Sequence, residues 1–253
     1  MSLDVFDLKG KVVVITGGSK GLGKAMAVGL AKAGARIVLT DVLDTEDAVS
    51  EVKKFNDEVV GLTVDVTKRS DVEHLVEKTV DHFGSIDVLI NNAGILKSSN
   101  AEDFSEMDWK QVIDVNLTGQ FLCAQIIGKH MIKQKSGRII NISSIAGLAG
   151  YASSVAYSAS KAGVISLTKT LASEWGKHNV LVNAVCPGVF ATDMTDDYLK
   201  DEDFREMIKT KVPLERYAKP EELVGTIIYL SSNASEYVTG HALVIDGGWT
   251  AAL

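Results

Sequence analysis

The chain alternates between two textures. Short apolar runs rich in β-branched residues recur, and most are followed by a stretch in which apolar positions return every three or four residues. The first texture reads as buried parallel strands, the second as amphipathic helices packed on a sheet. Strands are predicted at residues 11–16, 36–40, 59–64, 86–90, 138–142, 180–185 and 243–245. Helices are predicted at 24–34 (closed by Gly34), 45–55, 70–82, 102–133 and 220–230, the last with Pro220 at its start. Asp71 and Glu73 fall in the first turn of the third helix, where a helix favours negative charge. Alternating strands and helices predict an α/β domain with a parallel sheet. No linker, repeat or low-complexity tract interrupts the pattern, so residues 1–253 form a single domain.

Composition removes several function classes. The 253 residues are 46% hydrophobic and 23% charged, an ordinary globular balance. Net charge is −7 with no basic block, which argues against a nucleic-acid or anionic-membrane partner. Cys123 and Cys186 suit neither a disulfide framework nor a zinc site, and the five histidines form no ligand pattern, so no metal is expected. No apolar run is long enough to span a membrane, and the amino terminus lacks the apolar core of a signal peptide. A cytoplasmic protein is the expectation.

The chemistry begins where the first strand ends. Thr16 is followed by Gly17, Gly18, Ser19, Lys20, Gly21, Leu22 and Gly23, and then directly by a helix. Glycines let the backbone approach a pyrophosphate, and the helix amino terminus favours its charge. The spacing is Gly-x-x-x-Gly-x-Gly, unlike the Gly-x-Gly-x-x-Gly of the commonest dinucleotide fingerprint. Asp41 closes the second strand 18 residues after Gly23, where a carboxylate can bind the adenosine ribose hydroxyls. Asp65 and Val66 close the third. Asn91, Asn92, Ala93 and Gly94 follow the fourth, small enough for a backbone pressed against a flat ligand.

The fifth strand leads into Ser143 and Ser144, and then to Tyr157 and Lys161. A four-residue interval puts the last two on one helical face. An unperturbed phenol has a pKa of about 10, and a neighbouring ammonium lowers it by stabilising the phenolate. A tyrosine tuned in this way exchanges a proton with an alcohol or carbonyl oxygen, and Ser144 can hydrogen-bond the same oxygen. Tyr-x-x-x-Lys alone is common, so its weight comes from the motifs around it. Asn116 lies mid-helix among apolar neighbours, a poor place for asparagine unless its amide has a partner.

Together Thr16-Gly-x-x-x-Gly-x-Gly23, Asp65, Asn91-Asn-Ala-Gly94, Asn116, Ser144, Tyr157-x-x-x-Lys161, and Pro187-Gly188 with Thr192 resemble the classical short-chain dehydrogenases/reductases over essentially the whole chain. The resemblance implies a single-domain Rossmann-like sandwich with a seven-stranded parallel sheet. It implies Tyr157 as general acid/base, Ser144 as the group positioning the substrate oxygen, and Lys161 as the residue that binds the nicotinamide ribose and lowers the Tyr157 pKa. Asn116 would support a proton-relaying water. Gly17, Ser19, Lys20, Gly21, Leu22, Gly23, Asp41, Asp65, Val66, Asn92, Ala93 and Gly94 would line the dinucleotide site. Pro187, Gly188, Val189 and Thr192 would lie by the nicotinamide. The charged stretch at about 190–217 would be a substrate lid, and family members are commonly homotetramers.

Asp41 disfavours the 2′-phosphate of NADP, whereas Lys20 could pair with it; NAD is favoured and NADP possible. The segment between Asp41 and Val59, the phrases EDFSEMDW and EWGKHN, and the ending DGGWTA look like the gluconate and ketodeoxygluconate dehydrogenase branch. Lys97, Arg205 and Lys209 are candidate partners for a sugar-acid carboxylate. The alternative is a 3-oxoacyl-[acyl-carrier-protein] reductase, docking its carrier on Lys129, Lys133, Lys135 and Arg138. A different class, a non-catalytic dinucleotide-sensing protein, would not need the Ser144, Tyr157, Lys161 and Asn116 set.

Overall fold

The computed structural model describes residues 3–252. In chain order the main elements are β1 Val12–Thr16, α1 Gly21–Lys32, β2 Arg36–Asp41, α2 Glu46–Lys53, β3 Val59–Thr63, α3 Arg69–Phe83, β4 Val88–Asn91, α4 Glu106–Ile113 and α5 Gln120–Gln134. After these come β5 Gly137–Ile142, α6 Val155–Trp175, β6 Val180–Pro187, α7 Asp196–Lys200, α8 Glu202–Lys211, α9 Val224–Ser231 and β7 Ala242–Ile245. The seven strands make one parallel sheet in the order β3-β2-β1-β4-β5-β6-β7. Every predicted strand is present within two residues of its expected bounds.

Strand pleating sends alternate side chains to opposite faces. Along β1, Val13 and Ile15 join a core with Met26 and Leu30 of α1 and Ile227 and Leu230 of α9. Val12 and Val14 join the other core, with Leu75 of α3, Ile127 and Met131 of α5, and Leu171 of α6. Both faces are covered, which is why the strand runs are apolar throughout rather than alternating. The sheet order reverses between β1 and β4, so the loops at their carboxyl ends diverge and leave a crevice.

The predicted helix at 102–133 is not one regular helix. Ser105 caps α4 by accepting from the Asp108 N–H (3.0 Å), so the helix starts at Glu106. Between α4 and α5 the chain widens into a π-helical turn, Asp114–Gly119, with Asn116 in it. Such turns are rare and concentrate at functional sites, because they re-aim side chains without breaking the helix. The mid-helix asparagine was the sequence's only sign of it.

Residues 191–217 leave and rejoin the body side by side. Phe190 and Ala218 form a parallel bridge, and Thr195 accepts a bond from the Thr192 N–H (3.0 Å) at the start of the excursion. Ile208 and Val212 pack with Ile145 and Trp249 in a third apolar cluster.

Helix α1 approaches α9 at Gly29, where an added Cβ would sit 2.2 Å from a Val224 methyl and 3.1 Å from its Cβ. Gly29→Ala would gain about 1 kcal/mol of helix propensity, but the overlap with a stiff side chain costs about 1–3 kcal/mol. Net destabilisation is expected in urea unfolding, and it should be partly relieved when Val224→Ala is added. A more stable Gly29→Ala protein would contradict this packing.

Candidate active site

The glycine turn is built by close approach. Gly17 and Gly21 have φ of +64° and +54°, a region most side chains avoid. A Cβ on Gly23 would lie 2.0 Å from the Gly17 carbonyl oxygen, and one on Gly17 would meet Ala93 at 2.9 Å. Thr16 holds the turn against β4: its Oγ1 accepts from the N–H groups of Asn92 (3.0 Å) and Ala93 (3.1 Å). The Asn92 amide donates back to the carbonyls of Thr16 (3.0 Å) and Gly17 (2.8 Å). No side chain caps α1 and its first turn carries no acid, so its leading N–H groups are available to an anion. These features fit the pyrophosphate of a dinucleotide.

Asp41 sits beside that turn. Its Oδ2 accepts from the Ser19 N–H (3.1 Å) and hydroxyl (2.6 Å), and its Oδ1 from the Leu43 N–H (3.0 Å). Lys20 pairs with Asp193 across the cleft mouth at 3.3 Å, both side chains well exposed. Asp65 is used within its own turn. Burial acts to raise its carboxyl, but bonds from Thr67 and the nearby Lys68 hold it below the usual range. Val66 is buried beside it, against Gly119 of the π-helical turn.

On the far side of the crevice four predicted residues come together. The Asn116 amide is fully buried; its Oδ1 accepts from the Ile95 N–H (2.8 Å). Its Nδ2 donates to the Ile95 carbonyl (2.9 Å) and to the Ser160 hydroxyl (3.2 Å), which in turn donates to the Tyr157 carbonyl (2.7 Å). A Cβ on Gly94 would lie 3.4 Å from Asn116 Oδ1 and 3.5 Å from Lys161 Nζ. Lys161 is 3% exposed, its ammonium donating to the Ile142 carbonyl at 2.8 Å. Tyr157 lies with its ring centroid 5.5 Å from that ammonium, and the Ser144 side chain acts to lower the phenol's pKa. Ser144 also caps the short turn Ile145–Gly147 by accepting from the Ala146 N–H (3.1 Å).

The electrostatics differ from the expectation. Burial pushes the Tyr157 phenol up, and Ser144 only partly opposes it. Burial lowers Lys161 to about 8, with the Cys186 thiol opposing. The spacing suggested a phenol depressed by its lysine; here the ammonium rests on a carbonyl and desolvation of the phenol dominates.

Several partners escaped sequence reasoning. The Ser143 hydroxyl donates to the Lys161 carbonyl (2.8 Å), Ser160 joins Asn116 to the Tyr157 backbone, and the Ile142 carbonyl holds the ammonium. A carbonyl has no sequence signature, but Ser143 and Ser160 stood one residue from Ser144 and Lys161. Pro187 closes β6, and the Gly188 N–H donates to the Ile245 carbonyl (2.9 Å). Val189 packs on the Ile145–Trp249 cluster, and Thr192 faces Gly21 across the cleft. Of the candidate cations, Lys97 pairs with Asp108 (3.5 Å) and Lys209 with Glu206.

A family model described as enoyl-(acyl carrier protein) reductase matches residues 17–250. The chain is 40% identical over 252 residues to the 2-dehydro-3-deoxy-D-gluconate 5-dehydrogenase of Escherichia coli K12, covering 99% of this chain and 100% of that protein. The chain belongs to the short-chain dehydrogenase/reductase family. It is an oxidoreductase that acts on CH–OH groups with a nicotinamide cofactor. It is also 44% identical over 245 residues to a 3-oxoacyl-[acyl-carrier-protein] reductase of Synechocystis, covering 95% of this chain and 97% of that one. The solved structure of a gluconate 5-dehydrogenase from Burkholderia cenocepacia, in complex with NADP and tartrate, superposes with a TM-score of 0.95 at 35% identity, covering 100% of both chains.

Lys161 carries a stability consequence. Its folded value of about 8 lies below the ordinary 10.5, so the unfolded chain binds the proton more tightly. The penalty is full below about pH 8 and fades as pH rises toward 10.5, so this group's contribution to stability increases with pH across that window. At one pKa unit per 1.36 kcal/mol the shift amounts to about 3 kcal/mol at pH 7. Lys161→Met should therefore unfold at higher urea than wild type at pH 7, and the difference should shrink by pH 10. A variant destabilised at pH 7 would contradict the buried-charge account.

Proposed function

We propose that this enzyme interconverts a secondary alcohol and a ketone on a sugar acid or related polyhydroxy substrate. The observation that carries the chemistry is the convergence of Ser144, Tyr157, Lys161 and Asn116 beside Gly94, across the crevice from the glycine turn. The crevice between the glycine turn and Gly94 would hold a nicotinamide dinucleotide, which would supply or accept the hydride. Tyr157 then protonates the oxygen of the reduced carbonyl, or takes the alcohol proton in the reverse direction. A phenol kept protonated by burial is ready to act as the acid. Ser144 positions the substrate oxygen, and Lys161 leaves the Ile142 carbonyl to bind the ribose. Asn116, with both amide ends committed to Ile95 and Ser160, fixes the wall along which the proton is returned. Residues 190–217 form the lid, entered through the Phe190–Ala218 bridge.

The sugar-acid reading is supported by the ketodeoxygluconate and gluconate dehydrogenases among the relatives. Reduction of an acyl-carrier thioester is the second reading, favoured by the 44% identity to the Synechocystis protein. Its proposed docking cations are not all free: Arg138 is half-buried and donates to Asn233 (3.1 Å). A screen of keto-sugar acids against acetoacetyl thioester decides between them. Faster turnover of the thioester than of every sugar acid would replace the first reading with the second. Tyr157→Phe should lower turnover of the accepted substrate about 10²-fold or more with dinucleotide binding kept. Near wild-type turnover would remove Tyr157 from the chemistry.

For the cofactor, Asp41 supports NAD as the preferred dinucleotide. Its carboxylate closes β2 beside the turn, and a 2′-phosphate there would meet like charge. The NADP-bound relative leans the other way and makes NADP the competing outcome. Lys20, the cation that could answer a 2′-phosphate, is paired with Asp193. Asp41→Ser should shift the kcat/KM ratio toward NADP, and Lys20→Ala should weaken only the NADP reaction. Each change corresponds to about 1–3 kcal/mol, the scale of a hydrogen bond to a charged group. Wild-type preference for NADP, with an unmoved ratio in Asp41→Ser, would show that Asp41 does not set the choice.

The exposed side chains of Met107 and Trp109 on α4 and Phe121 on α5 support a homotetramer, measurable by light scattering. A monomer in solution would contradict it. Two buried free thiols fit a reducing cytoplasm. No helix among the described residues is long and apolar enough to cross a membrane.

A further inference from the structure

The Ile142 carbonyl that receives the Lys161 ammonium has a second donor. Gln120 opens α5, directly after the π-helical turn that carries Asn116, and its Nε2 donates to the same oxygen at 3.2 Å. Gln120 is 2% exposed and belongs to an amide cluster beneath the site. Asn91 donates to the Gln120 carbonyl (3.2 Å) and to Asn141 Oδ1 (2.9 Å), and Asn141 donates to the Thr168 hydroxyl (2.9 Å). The cluster is not optimised for stability. Gln120 Oε1 and Asn91 Oδ1 are buried acceptors without a partner, and an unpaired acceptor in a core is costly. An apolar side chain at 120 would avoid one such cost. A glutamine there therefore has a task that an apolar residue could not perform.

We infer that Gln120 is a positioning residue for Lys161, acting through the shared Ile142 carbonyl. A carbonyl oxygen has two lone pairs. With one engaged by Gln120, the oxygen is a weaker acceptor for the ammonium than if both were available. Lys161 is held in place yet can leave for the dinucleotide ribose. The same bond ties the end of β5, two residues before Ser144, to the turn that presents Asn116, so three candidate groups share one register. The titratable neighbours of Lys161 are Tyr157 on its own helix and Cys186 on β6; neither touches Gln120 in the bonds above. The inference rests on the Lys161 role proposed above.

The test replaces Gln120 by Met, which keeps the length and removes the donor, and by Asn, which keeps the amide but falls short of Ile142. Three quantities are measured: NADH and NADPH dissociation constants, their dependence on pH, and the thermal midpoint. Freed from Gln120, the carbonyl should hold the ammonium more tightly. Dinucleotide affinity should fall several-fold, and the alkaline inflection of dinucleotide binding should rise, because the ammonium of the free enzyme is held more tightly. A lower midpoint with unchanged affinity and inflection in the folded variants assigns Gln120 to packing alone and overturns the inference. Failure of the underlying Lys161 role looks different: Lys161→Met would then keep wild-type activity and dinucleotide affinity, whatever the Gln120 variants do.

Discussion

The site depends on keeping one ammonium group almost completely out of water. A buried charge is tolerated only where its protons find good acceptors, and Lys161 finds the Ile142 carbonyl at the end of the fifth strand. That single bond fixes much of what surrounds it. The carbonyl must point out of the ladder at the strand's end, so Ser143 and Ser144 follow it immediately into the cleft. Ser143 then turns its hydroxyl back to the Lys161 carbonyl, which locks α6 at that height and with it Tyr157, one turn earlier. The wall opposite is a π-helical turn, widened so that an asparagine amide can span from Ile95 to Ser160. Instability at Lys161 is thus accepted for a charge held beside Tyr157, where the proposed function uses it.

The sheet delivers the other half of the site. Because β1 and β4 are neighbours yet their helices lie on opposite faces, the glycine turn and the Asn92–Gly94 loop face each other across the reversal of strand order. Thr16 and Asn92 stitch those two loops with four hydrogen bonds between 2.8 and 3.1 Å. A side chain at Gly17 or Gly23 would push them apart, so backbone proximity, rather than any charged group, defines the floor of the dinucleotide site. The charges beside that floor, Asp41 and Lys20, are the ones that the proposed function uses to discriminate between the two dinucleotides.

What the sequence revealed follows from how locally each feature is encoded. Central strands such as β1 and β4 are buried throughout and read as apolar runs, and the half-exposed edge strands β3 and β7 keep enough apolar residues that all seven were legible, as was the glycine turn. Tyr157 and Lys161 were legible as a pair because four residues make one helical turn. Their electrostatics were not, because desolvation depends on packing from β6 and the π-helical turn, far away in the chain. The π-helical turn itself was hidden: it lies inside one continuous helical pattern, its weak helix formers Asp114, Val115 and Thr118 being common enough in helices to pass unnoticed, and the widening goes with the bonds that Asn116 makes to Ile95 and Ser160. Gln120 stood unremarked for a related reason, since its partner is a backbone carbonyl 22 residues away.

The account stands most directly on the state of Lys161 itself. Carbon-13 labelling of lysine side chains, with the Lys161 signal assigned by its loss in Lys161→Met, gives that titration by NMR in the protein without added dinucleotide. The buried ammonium described here should release its proton near pH 8, well before the other lysines. A midpoint at the ordinary lysine value of about 10.4 would mean that Lys161 sits in water, and the arrangement built around the Ile142 carbonyl would be wrong.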